Sequence, residues 1–188
     1  MAVRTFVALE LSEDARTGIL GLVEEMRRRG VRASWARSGT LHLTLKFLGD
    51  VEEDELPGVV DAVERASGQV STFTFETRSL GAFPSPRRPR VLWVGVDAPD
   101  ELFALARAVE DELAELGFPR EQRRFHPHIT LGRVRDPEAE SVLSLYEELS
   151  APRERTVVGE VRVMRSTLQP GGALHELVEA IPLSDETS

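Results

Sequence analysis

His42-Leu43-Thr44-Leu45-Lys46-Phe47-Leu48-Gly49 and His126-Pro127-His128-Ile129-Thr130-Leu131-Gly132-Arg133 are two versions of one phrase, one in each half of the chain. Both alternate apolar with polar residues, and successive side chains of a strand point to opposite faces. On that reading Leu41, Leu43, Leu45 and Phe47 face a core, while His42, Thr44 and Lys46 line the opposite face. In the second copy His126, His128 and Thr130 oppose Ile129 and Leu131. Two such strands brought together set two imidazoles and two hydroxyls across one cleft, a usable acid-base pair. For a single His-x-Thr strand the simpler reading is a solvated polar row, where threonine is common because it is β-branched. Two copies at matching places in a repeat argue instead for a shared site.

The surroundings repeat as well. A first strand carries Val3, Phe6, Val7 and Leu9, and a helix follows from about Glu13 to Arg29. Ser12 is placed as its N-cap, Glu13 and Asp14 suit its positive start, and Gly30 stops it. Ile19, Leu22, Val23 and Met26 recur at helical spacing and mark a buried face. A strand around Val31 to Ala36 leads to the first motif strand, which Gly49 and Asp50 close; a helix from Leu56 to Ala66 and a strand from Ser71 to Ser79 come next. The second half runs in the same order. It has a strand at Val91 to Val96, a helix from Pro99 to Leu116 stopped by Gly117, and then the second motif strand. A helix capped by Asp136 and Pro137 follows, then a long strand at Thr156 to Thr167 and another at Ala173 to Leu183.

This order predicts an α+β fold, one domain over 1–188 made of two pseudo-symmetric lobes, roughly 1–80 and 91–183. Each lobe is an antiparallel sheet with flanking helices beside a central groove, and terminal strands are free to exchange. The proline-rich stretch Gly81 to Arg90, with Arg87, Arg88 and Arg90, reads as a connection between lobes or as a mobile arm that meets phosphates.

Composition narrows the functional classes. A chain of 188 residues buries about 70% of its unfolded surface and needs no staples. The absence of cysteine removes disulfides and Cys-based zinc or iron-sulfur sites. A formal net charge of -9 argues against holding long nucleic acid by bulk electrostatics, but leaves a small or terminal nucleotide target open. No apolar run approaches the roughly 18 residues of a membrane span. Met1 to Glu10 lacks the apolar stretch and cleavage site of a signal peptide, so a cytoplasmic location is expected; the sequence does not fix the oligomeric state, and a monomer is the default expectation. Walker, nucleophile-elbow and dinucleotide patterns are absent, so no organic cofactor is implied. His126 and His128 lie two apart without further ligands at metal spacing, so no metal is expected and His126 is read as a structural neighbour. Lys46, the only lysine, shares parity with His42 and is a secondary candidate for contacting an anion.

His42 to Gly49 and His126 to Arg133, together with Arg4 to Leu11, Ser79 to Val96 and Ser166 to Gly172, resemble the two-histidine (2H) phosphoesterase superfamily. Within it the likeness is to the RNA 2′,3′-cyclic phosphodiesterases, historically called 2′-5′ RNA ligases, and it covers almost the whole chain. It implies an open groove between two lobes with His42, Thr44, His128 and Thr130 as catalytic floor. It also points to Phe47 and Arg133 beside the base or ribose. Strand parity puts neither with its histidine, so a bulge or a strand end must redirect them. One departure is His175, where the family often has tyrosine.

The implied activity is metal-independent hydrolysis of a 2′,3′-cyclic phosphate, on an RNA 3′ end or a small nucleotide, to a 2′-phosphomonoester. No cofactor, membrane or obligate protein partner is implied. In-line displacement needs an acid and a base on opposite sides of phosphorus, and imidazole serves as either near neutral pH. By resemblance His42 is the acid on the 3′ oxygen and His128 the base on water. Thr44 and Thr130 donate to the non-bridging oxygens, where charge concentrates. The alternatives are ATP-independent 2′-5′ RNA ligation and a non-catalytic nucleotide-binding module.

Overall fold

The continuous apolar run Phe6-Val7-Ala8-Leu9, buried throughout, ends the first strand, β1 (Ala2–Leu9), and the helical stripe downstream makes Glu13–Arg28 the first helix, α1. This computed structural model describes residues 1–135, 139–170 and 172–184. The Ser12 hydroxyl accepts from the Ala15 amide at 3.2 Å, Glu13 and Asp14 occupy the first turn, and Gly30 ends the helix at φ +91. Then come β2 (Ala33–Trp35), a short turn at Ser38–Thr40, β3 (Leu43–Glu52), α2 (Leu56–Ser67), β4 (Phe73–Ser85) and β5 (Arg88–Asp97). The chain continues through α3 (Asp100–Glu115), β6 (His128–Val134), α4 (Ala139–Glu148), β7 (Arg155–Val158), β8 (Glu160–Gln169) and β9 (Gly172–Pro182).

The strands form a single nine-stranded sheet in the order β7-β4-β5-β6-β3-β1-β8-β9, with β2 added beside β6. Every ladder between these strands is antiparallel. The two motif strands, β6 and β3, are neighbours at its centre. Outward from β3 lie β1, then β8 and β9 from the far end of the chain; outward from β6 lie β5, then β4 from the first half. Strands have therefore crossed between the halves. Helices α2 and α3 lie against the β3–β9 side, and α1 and α4 against the β4–β7 side. Val7, Leu9, Leu43, Leu92, Val94, Ile129 and Leu131 meet Ile19, Val59, Val63, Leu102, Leu105 and Leu113 in a buried core. Each such side chain contributes about 1.5–3 kcal/mol.

Four local expectations change. The first motif strand does not stop at Gly49 and Asp50 but continues to Glu52. Gly49 takes φ +75 beside a register shift that leaves Leu48 without a partner on β1. The stretch around Gly81 to Arg90 is an ordered hairpin, paired out to Ser85 opposite Arg88, with Arg87, Arg88 and Arg90 exposed at its end. The long strand at Thr156 to Thr167 is two strands, β7 and β8, broken at Gly159. The strand at Val31 to Ala36 shrinks to three residues. The cap at Asp136 and Pro137 lies outside the described residues. Among the described residues no helix is long and apolar enough to cross a membrane.

Candidate active site

Leu43 is paired with Ile129, and this one pair joins β3 to β6. Both side chains are 0% exposed, so they point into the core and their chain neighbours point the other way. Antiparallel direction sets Thr44 beside His128 and His42 beside Thr130. His42 and His128 are then diagonal neighbours on one face, with backbone positions roughly 7–8 Å apart, and the threonines occupy the other diagonal. The hydroxyls of Thr44 and Thr130 have no hydrogen-bond partner among the described residues and stand available to a ligand. All four side chains line a groove of about 1800 Å³, together with Phe47, Arg133, His126 and His175.

A bulge follows each motif. On β3, Ala8 pairs with Thr44 but Val7 with Lys46, which leaves Leu45 over. On β6, Trp93 pairs with Thr130 but Leu92 with Gly132, which leaves Leu131 over. One extra residue reverses the faces of everything after it. Phe47 therefore comes opposite Phe6 on the histidine side and is 70% exposed, not in the core. Arg133 likewise emerges opposite Val91 and Ser34, exposed and with no ion-pair partner among the described residues.

The same reversal corrects the reading of Lys46. It lies opposite the fully buried Val7, and its ammonium donates to Glu110 Oε2 and the Pro119 carbonyl, both at 2.8 Å. Its charge is already held, which opposes the expected contact with an anion.

Each histidine has an aromatic cradle. His42 stacks on Phe6 at 4.8 Å between ring centroids and meets His175 edge-on at 5.2 Å. His128 packs against Phe83 at 5.0 Å and Trp93 at 6.1 Å. The His128 Nδ1 donates to the His126 carbonyl at 2.7 Å, which leaves Nε2 for the groove. Burial pulls His42 down to about 4, helped by His175, Arg16 and His128 and opposed by the Thr40 backbone. Burial also lowers His128, helped by His126 and opposed by the His126 backbone. Both rings therefore favour the neutral form more strongly than a free imidazole does.

Sequence reasoning missed Arg16. Its buried guanidinium donates to the carbonyls of Ser38 and Leu41 and to Glu10, so α1 holds the turn that delivers His42. The only signal was one charge beside the apolar stripe of the first helix. Phe83 was also missed, because its proline-rich surroundings hid the hairpin. Trp93 lies so close over Gly81 that a Cβ there would sit 2.1 Å from the indole. His126 touches Phe83 and Trp93, and no three His, Asp or Glu side chains converge as a metal site among the described residues.

Fold and groove together define an α+β protein whose cleft is built on two His-x-Thr strands. Residues 15–169 match the 2′-5′ RNA ligase superfamily. The chain is 31% identical to an RNA 2′,3′-cyclic phosphodiesterase of Thermotoga maritima, over 94% of this chain and 93% of that protein. A protein of the same name from Methanothermobacter thermautotrophicus is 32% identical, over 97% of this chain and all of its own length. Among solved structures, TT0787 of Thermus thermophilus superimposes with a TM-score of 0.82 at 27% identity, covering 98% of this chain and 100% of that one. Escherichia coli LigT shares the fold, with a TM-score of 0.76 at 24% identity and the same coverage. The chain belongs to the 2′-5′ RNA ligase superfamily, the 2H phosphoesterases.

Proposed function

We propose that this protein is a cytoplasmic, monomeric and metal-independent enzyme. It hydrolyses the 2′,3′-cyclic phosphate of an RNA 3′ end or small nucleotide to a 2′-phosphomonoester. The observation that supports this reading is the Leu43–Ile129 register, with His42, Thr44, His128 and Thr130 all lining one groove. Relatives across nearly the full chain carry the matching activity in their names.

His128 Nε2, a free lone pair when Nδ1 is bonded to the His126 carbonyl, takes the proton of the attacking water. His42 protonates the departing 3′ oxygen, while Thr44 and Thr130 donate to the non-bridging oxygens. Phe47 offers a face to the base, and Arg133 a fork to the phosphate. His42 starts with low proton affinity, so the bound phosphate anion has to stabilise its charged form. Once charged, so buried a ring gives its proton up readily.

The test is incubation with chelator and a short RNA ending in a 2′,3′-cyclic phosphate, followed by identification of the product isomer. A 2′-phosphate supports the reading, and a 3′-phosphate reverses the leaving-group assignment, making the 2′ oxygen the one that departs. Loss of turnover on chelation removes the metal-independent mechanism. Tight binding without turnover marks a binding module. Joining to an added 5′-hydroxyl RNA in preference to hydrolysis marks a ligase.

A further inference from the structure

His175 stands on β9 opposite Ser166, in the strand that closes the β3 side of the sheet. Its ring meets Phe6 at 4.9 Å and His42 at 5.2 Å, both edge-on, while Phe6 stacks on His42. The three rings form a closed triangle. His42 and His175 also line both the main groove and a second cavity of about 270 Å³ beside it, so the two imidazoles form the partition between them. The His175 Nδ1 is buried and has no hydrogen-bond partner. A neutral ring tolerates this by presenting a bare lone pair there, but an imidazolium carries N–H on both nitrogens and would bury one unpaired.

We propose that His175 is a positioning residue for His42: it braces the His42 ring against Phe6, and it restricts the pair to a single proton. This rests on the functional reading only for its consequence in turnover; the coupling itself is a property of the resting protein. Facing His42 are His175 from β9, Arg16 from α1, His128 from β6 and the Thr40 backbone. The three side chains are cations when charged. The carboxylates lining the second cavity, Glu10 and Glu13, are engaged by Arg16, and Glu10 also by Arg162. Among the described residues lining the two cavities no free carboxylate therefore offsets a second proton, and charging either imidazole raises the cost of charging the other. Burial and this neighbour act in the same direction on His42.

The brace and the charge are separable. Replacing His175 with phenylalanine keeps a ring against Phe6 and His42 but removes the titrating group; alanine removes both. Imidazole ¹⁵N titrations of the full-length protein read His42 directly, with signals assigned through single His→Asn variants. In H175F the His42 midpoint is expected to rise by roughly half a pH unit, and an unmoved midpoint overturns the single-proton coupling whether or not the protein turns over. On cyclic phosphate, H175A is expected to lower kcat by about tenfold or more with little change in KM, since a misplaced acid costs chemistry and not binding. H175F is expected to recover most of that kcat. Wild-type kcat in H175A overturns the brace. A raised KM with unchanged kcat also overturns it and makes His175 a substrate contact. Wild-type protein inert on cyclic phosphate, with the midpoint still shifted in H175F, refutes the functional reading and leaves the coupling standing.

Discussion

Arg16 donates to the Leu41 carbonyl at 3.4 Å, one residue before His42, and the same guanidinium reaches Ser38 and Glu10. A buried side chain of the first helix thereby sets where the groove's most buried imidazole begins. Arg16→Met keeps much of the stem's packing but strands two carbonyls. The expected loss is about 1–3 kcal/mol in urea unfolding, with a fall in kcat greater than the change in KM.

The two imidazoles divide one reaction. His42→Asn and His128→Asn are each expected to lower kcat on a cyclic phosphate by roughly 10²- to 10⁴-fold. The double variant should be little worse than the poorer single one, because groups acting as a unit are not additive. Multiplicative losses in steady-state assays would mean that the rings act independently.

Both imidazoles are lowered, His42 to about 4, so each keeps its neutral form below the ordinary value of 6.5. Since kcat/KM reports the free enzyme, its pH optimum is expected on the acid side, between about 4 and 6.5. For kcat the optimum should lie higher, because a bound phosphate favours the His42 cation. Coincident profiles centred above neutrality would contradict the burial of His42.

The same depression has a consequence for stability. Between about 4 and 6.5 the unfolded chain binds a proton that folded His42 refuses, so stability rises with pH across that window and is lost as pH falls through it. The contribution is on the order of 3 kcal/mol. His42→Asn should flatten the difference in urea midpoint between pH 7 and pH 4.5 relative to wild type.

Lys46 and Arg133 are both cations near the groove with opposite assignments. Lys46→Met breaks a buried pair with Glu110 and is expected to cost roughly 3 kcal/mol without raising KM. Arg133→Met should leave the unfolding midpoint nearly unchanged and raise KM several-fold. An exchange of these outcomes would restore Lys46 as the anion contact.

The motif strands and the first helix with its Ser12 cap were legible from local period and capping, and the gathering of His42, Thr44, His128 and Thr130 into one groove from the motif's occurring twice at matching places in a repeat. The bulges at Leu45 and Leu131 were not. An extra residue between two apolar positions leaves the alternation unbroken on paper while turning Phe47 and Lys46 to opposite faces. The need for some redirection at Phe47 and Arg133 was visible, but not its place. Exchange of strands between the halves was open in the sequence, but not which strands cross, since an alternating strand declares which side it buries and not which strand it lies beside. Arg16 was hidden because one charge in an apolar stripe reads as a surface residue until its carbonyl partners, distant in sequence, are seen.

The crossed strands make each portion of the chain a scaffold for the other. Severed between β4 and β5, the N-terminal piece would keep β1 and β3 but lose the β8 that flanks them, and would carry a long unmatched β4. The C-terminal piece would have the mirror deficit. Neither fragment satisfies its own backbone, so a cut at the hairpin tip should yield two insoluble peptides when they are made separately and a working enzyme when they are made together.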